Sequence, residues 1–303
     1  MSDLTTRSME LLEQAGTNPV AVEVDELEPL LDHENGHVRH TALRTLALVC
    51  EADPDRVRPV VDSVRDRVDD SYSIASSTAL VVLSLVGETE PDAVRPIAPA
   101  IIDRLDDPSP GYRFRAASAL VPLAEPYPDI FVEHADDLVD LLRENAAVDP
   151  MGSDALERDN LSPDRLRTMN EARTRDRGLS IAFREILAHL LVHVASVDPA
   201  AIAHRLETIT DELDESADPV RQALVEVFRH VAEADAVDCE IPIGSLVALL
   251  EDGTPTTRAR VVRTLGFAEA IEAVAPLRSL ADRADDEAVS ELASETADWL
   301  ADR

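Results

Sequence analysis

The sequence predicts an all-α protein, a right-handed α-α superhelix of about seven stacked helix pairs. Three observations predict it. Short motifs recur at a fixed spacing of 37 residues. Within each period, apolar residues follow the 3.6-residue rhythm of a helix with one buried stripe. Apolar residues make up 45% of the chain, yet only nine are Phe, Tyr or Trp, which suits thin interfaces filled by Leu, Val and Ala.

The repeat is read directly from the chain. Arg56-Val-Arg-Pro59 returns as Ala93-Val-Arg-Pro96, and Asp69-Asp70 returns as Asp106-Asp107. Ala42-Leu43 with Leu46 returns as Ala79-Leu80 with Leu83, then as Ala119-Leu120 with Leu123. The last shift is longer by three residues and falls at the turn Pro108-Ser-Pro-Gly111, where added loop length costs little.

Each unit reads as two amphipathic helices. Val57, Val60, Val61, Val64 and Val68 form one stripe; Ile74, Ala79, Leu80, Leu83 and Val86 form the next. First helices are expected at 24–32, 54–69, 91–106, 129–144, 199–215, 241–251 and 270–284. Second helices are expected at 37–51, 73–88, 112–125, 177–196, 218–233, 256–267 and 286–301, with an extra helix at 4–15. Pro54, Pro91, Pro199 and Pro219 sit at helix starts, where a missing N–H is harmless. Asp53, Glu90, Asp198 and Asp218 precede them as expected N-caps. Asp286, Glu287, Glu291, Glu295 and Asp298 supply the polar face that a terminal repeat needs. With no Gly/Ser linker in sight, residues 1–303 are expected to form a single solenoid.

The Asp-rich turn followed by Val-Arg and Ala-Leu resembles the HEAT repeat, as in Val38-Arg39 to Ala42-Leu43 and Val220-Arg221 to Ala223-Leu224. Arg260 to Gly266 and Glu272 to Leu280 resemble the short variety named after phycobilisome lyases. The resemblance implies the fold and an extended binding surface. Among HEAT-repeat enzymes, deoxyhypusine hydroxylases bind two irons through several His-Glu pairs on successive repeats. Here His33-Glu34 is the single such dipeptide, which argues against that activity.

The fourth pair is interrupted by an expected loop at about 145–176, with a short helix from Ser162-Pro163-Asp164 to about Asn170. Between Arg158 and Arg184 seven Arg face four acids, a local charge of +3 in a chain of −33. The segment is either a partner-binding or regulatory loop carrying Arg165, Arg167, Arg173 and Arg175, or one that folds back on the protein's own acidic helices or stays disordered.

Charge also divides by layer. The first six second helices hold eleven Arg and seven acids; the first helices, taken as 54–70, 91–107, 129–144, 199–215 and 241–251, hold eight Arg and 21 acids. Arg near helix starts can pair with the preceding turn, such as Asp218 with Arg221 or Asp252 with Arg258, and so form an internal ladder. Mid-helix Arg44, Arg184, Arg229 and Arg263, with His189 and His230, are the better candidates for contact with a partner.

All 28 basic residues are Arg, against 61 acids. That balance disfavours direct nucleic-acid or anionic-membrane binding and resembles haloarchaeal proteins, whose carboxylates hold water in concentrated salt. The start of the chain shows no signal peptide, the longest apolar run is Ala79 to Val86, and Cys50 and Cys239 form no ligand pattern, so a cytoplasmic setting is expected. Glu185, His189 and His193 share one helix face and read as a solvated polar face; no metal, cofactor or catalytic set is assigned. The expected function is a non-enzymatic scaffold or adaptor that binds other proteins. The alternatives are a HEAT-repeat hydroxylase or lyase-like enzyme, or a subunit of a chromosome-associated complex.

Overall fold

A computed structural model describes residues 3–145, 163–234 and 240–303 of the chain, and the regular structure among them is entirely helical. The chain falls into two compact units, 1–127 and 128–303.

In the first unit, helices α1 (Asp3–Thr17), α2 (Gly36–Ala52), α3 (Ser73–Gly87) and α4 (Pro110–Ala124) stack in chain order. The second helices at 37–51, 73–88 and 112–125 are realised as α2, α3 and α4. Their inward residues are closed to solvent: Val38, Leu43 and Leu46 in α2, Leu80 and Leu83 in α3, Leu120 and Leu123 in α4. Each such side chain contributes about 1.5–3 kcal/mol through removal from water.

The first helices of this unit depart from expectation. Residues 54–69 form two 3-10 turns, Pro54–Arg56 and Arg58–Val60, then a short helix, Val61–Arg65. Residues 91–106 break into Pro91–Val94, Arg95–Ile97 and Ala98–Ile102. The cause is proline: Pro59, Pro96 and Pro99 lack the N–H that continues a helix, and their rings crowd the carbonyl of the preceding turn. The valine stripe survives because Val57, Val60, Val64 and Val68 still turn inward and are buried.

Gly36 illustrates how tightly the repeats approach. A Cβ there would lie 2.6 Å from the Tyr72 Cβ. Tyr72 accordingly rests on the start of α2, its hydroxyl 3.1 Å from His37 Nδ1. Capping also differs from expectation. Of the expected caps, Asp198 accepts from the Ala201 N–H, but Asp53 and Glu90 make no side-chain cap bond, whereas Asn35, Thr254 and Asp286 accept from helix N–H groups.

The second unit contains α5 (Ala135–Glu144), α6 (Pro163–Val197), α7 (Leu206–Glu215), α8 (Asp218–Glu233), α9 (Ile243–Asp252), α10 (Pro255–Phe267), α11 (Val274–Arg283) and α12 (Glu287–Ala301). Helices α6, α8, α10 and α12 are the second helices and pack in succession. The loop expected at 145–176 ends early: from Pro163 onward the chain is one 35-residue helix running through Val197. Arg, Leu, Met, Glu and Ala dominate 165–176, all good helix formers, and no proline intervenes after Pro163. Residues 146–162 lie outside the described residues. The stretch Glu171–Val197 is long and apolar enough to cross a bilayer by composition, an apolar run longer than the sequence reading marked. Its Phe183, Leu187, Leu190, Leu191 and Val194 are buried within the unit.

Candidate protein-binding groove

The arginines expected to meet a partner divide into two groups, and burial separates them. Arg184 is 4% exposed. Its guanidinium donates to the Leu142 carbonyl, to Glu212 Oε2 at 2.7 Å and to the Ser216 hydroxyl. A contact role for Arg184 is therefore corrected: it ties α6 to α5 and α7. Mid-helix position failed as a signal because a long side chain on a second helix can reach the carbonyl end of the preceding helix.

Arg184 belongs to a wider ladder. Arg39 donates two bonds to Asp70, at 2.6 and 2.5 Å, and two more to the carbonyls of His33 and Glu34. Arg56 donates to the carbonyls of Pro19 and Val22, and Arg67 to that of Leu31. In the second unit Arg260 reaches the Gln222 carbonyl, Arg283 the Leu250 carbonyl, and Arg205 both Asp136 and Asp140. Arg221 pairs with Asp218 as expected, but Arg258 donates to the Glu251 carbonyl instead of pairing with Asp252. Arg67 and Arg283 share one rule: an arginine from one repeat satisfies a carbonyl left over at a helix end of its neighbour.

Burial alone pushes the Asp70 carboxyl up. The Arg39 hydrogen bonds, the Tyr72 N–H and the charges of Arg39 and Arg67 outweigh it, and the group lies below the usual carboxylate range.

Other candidates remain at the surface. Arg44 is exposed and has no ion pair among the described residues; its charge, after burial, helps hold the His40 imidazole below its ordinary value. His189 and Arg175 are exposed, Arg173 is half-buried, and Arg167 pairs with Glu171 along its own helix. The Arg165 side chain lies outside the described residues. His230 is partly buried, and that burial first, then the adjacent Arg229 charge, lowers its pKa. Among the described residues, no three His, Cys, Asp or Glu are placed to hold a metal ion.

Arg229 and Arg263 lead to a feature that the sequence reading missed. A groove of about 500 Å³ opens where the C-terminal ends of α8, α10 and α12 lie side by side. Its apolar walls are Phe267, 45% exposed, and Trp299, 44% exposed. Gly266 lets α10 and α12 approach; a Cβ there would meet the Thr296 methyl at 3.3 Å. Arg263 stands exposed on the lining, and the Arg229 guanidinium lies 5.9 Å from the Phe267 ring centre while pairing with Glu226 and Glu233. Glu233, Glu269 and Glu295 complete the polar rim. The Arg303 guanidinium stacks 4.1 Å above the Trp299 ring and pairs with Glu269.

Glu269 follows α10 in an unusual conformation. Its φ is 50°, the one positive value among the described residues. The Glu269 N–H donates to the Gly266 carbonyl and the Ala270 N–H to that of Leu265, the two bonds of a Schellman helix stop. Glycine is the ordinary residue at such a stop.

A signal for the groove existed. Trp299 is the chain's single Trp and lies off the α12 core stripe of Val289, Ala293, Ala297 and Leu300, on the adjacent row with Thr296 and Arg303. A large aromatic off the buried stripe marks a surface with a use.

No family model matches the chain, and no match was found among curated proteins. Solved structures do match. An engineered protein superposes with a TM-score of 0.67 at 17% identity, covering 96% of this chain and 71% of its own. A chain from a structure on a phosphorylation switch in the cadherin and β-catenin interaction gives 0.67 at 15%, covering 94% of this chain and 55% of that one. A designed armadillo repeat protein in complex with the peptide (KR)4 gives 0.53 at 14%, covering 92% and 99%. At these identities the likeness establishes the fold alone: the chain is an all-α repeat superhelix of the armadillo and HEAT type.

Proposed function

We propose that this protein is a non-enzymatic scaffold whose partner proteins dock in the groove at the ends of α8, α10 and α12. The observation that carries the reading is the exposure of Phe267 and Trp299 side by side in a concave, pre-formed site, since aromatic anchors in pockets supply most interface energy. The fold supports it: repeats stacked in this way present continuous faces, and a structural neighbour of the same type holds a peptide. Arg263 stays a contact residue in this reading and Arg229 a support beneath Phe267; Arg44, in the first unit, and His189 remain separate candidates for contact.

The setting proposed is a cytoplasm of high salt, where 61 acids keep the protein hydrated and salt screens the self-repulsion of a net charge of −33. Lyase or hydroxylase chemistry forms no part of the reading.

The test is affinity capture at molar salt, with identification of the retained proteins, run in parallel with the Phe267→Ser/Trp299→Ser double variant and with Ile271→Ser, an exposed apolar control outside the groove lining. A partner lost with the double variant and kept by the control is the expected result. Partners indifferent to both aromatics would contradict the reading.

A further inference from the structure

The groove contains a pattern that specifies the chemistry of its occupant. Trp299 presents an open ring face, and a guanidinium, that of Arg303, already lies on it. The same guanidinium pairs with Glu269. An aromatic face with a carboxylate at its edge is a cation subsite, and a planar guanidinium satisfies both at once, by stacking and by hydrogen bonding.

Apart from Arg263 on the lining, the surroundings favour the same charge. Helices α8, α10 and α12 all bring their C-terminal ends to the groove, and the negative end of a helix dipole favours a cation there. Glu295 adds an exposed carboxylate with no ion pair among the described residues. The residue that holds the cation is also the one in left-handed backbone geometry. A non-glycine residue in that region costs stability, so a glutamate where glycine is the ordinary residue fits a carboxylate placed for contact.

Resting on the scaffold reading above, we infer that the groove recognises an arginine side chain on an apolar segment of a partner protein, and that Arg303 occupies this subsite in cis until the partner's arginine displaces it. Phe267 takes the apolar residue beside that arginine. The occupant has a positive side chain because the subsite is built from carboxylates, helix C-termini and a ring face. It is arginine because the seated group already shows the geometry. Self-occupancy lowers apparent affinity by the fraction of time the site is closed.

Trp299 is the only Trp in the chain, so its fluorescence reports this site directly. The full chain is titrated with capped Leu-Arg-Leu and Leu-Gln-Leu peptides, as wild type and as Arg303→Ala, Glu269→Gln and Glu269→Gly variants, with thermal unfolding as a folding control. The arginine peptide is expected to bind, with the glutamine peptide weaker by about tenfold. Arg303→Ala is expected to tighten binding about fivefold or more by removing the internal competitor. Both Glu269 variants are expected to weaken it while the protein stays folded. Equal binding of the two peptides, no arginine-dependent signal in Arg303→Ala, or unchanged or weaker affinity in Arg303→Ala would overturn the assignment. If the arginine peptide fails while a captured partner still requires Phe267 and Trp299, the scaffold stands and only the arginine specificity falls.

Discussion

Arg39 and Asp70 form a bidentate ion pair between successive repeats, with their side chains 9% and 1% exposed. Two further Arg39 N–H groups bind the His33 and Glu34 carbonyls, and the carboxylate also accepts from the Tyr72 N–H. A buried pair with this many partners is costly to break from one side, because the survivor is left charged and alone. Arg39→Leu or Asp70→Asn is expected to destabilise the first unit by roughly 3–5 kcal/mol. The double variant is expected to lose less than the two single losses combined, read by denaturant unfolding.

The same pair sets a pH dependence. Asp70 sits below the usual carboxylate range in the folded protein. Its contribution is therefore complete above the unfolded carboxylate pKa and fades as pH falls through the lower folded value. The stability gap between wild type and Asp70→Asn should be constant near neutrality and shrink on acidification below about pH 4. A gap that widens there would reverse the sign of the argument.

Arg184 and Arg44 should respond in opposite ways. Arg184 is buried with Glu212 and Ser216, so Arg184→Glu places two carboxylates together out of water and should unfold the second unit at ordinary temperature. Arg44 is exposed, and Arg44→Glu should change stability by less than about 0.5 kcal/mol. Circular dichroism during thermal unfolding distinguishes the two.

Glu269→Gly removes a side chain from left-handed backbone. Stability should rise by about 0.5–1 kcal/mol, offset in part by the greater freedom of glycine in the unfolded chain. Calorimetry checks this independently of any binding. A lower midpoint for Glu269→Gly would mean that the carboxylate contributes more to folding than its backbone geometry costs.

Cys50 is buried, and burial, followed by the charges of Glu88, Glu51 and Asp53, pushes its thiol up to about 11. In a Cys239→Ser background, Cys50 should resist alkylation at pH 8 in the folded protein and react on unfolding. Mass spectrometry after a timed pulse of iodoacetamide reads the outcome.

Much of this architecture was legible from local patterns. The 37-residue spacing and the Ala42-Leu43, Ala79-Leu80 and Ala119-Leu120 pairs located the second helices because those helices bury one continuous stripe. First helices were legible as stripes but not as helices: Pro59, Pro96 and Pro99 break the backbone without moving the valines off the buried side. The arginine count by layer was right, yet its meaning depended on reach. Nothing local distinguishes Arg184, whose guanidinium spans to Leu142 forty-two residues away, from Arg263, which stays at the surface. Phe267 and Trp299 were invisible as a pair, since they lie on different repeats and meet at one groove only through the packing of α10 on α12.

Hydrogen exchange of the full chain with and without a captured partner, at molar salt, measures the central claim most directly. The account predicts new protection at 229–233, 263–269 and 295–303, the groove ends of α8, α10 and α12. Protection confined to the first helices α9 and α11, with those segments unchanged, would contradict it.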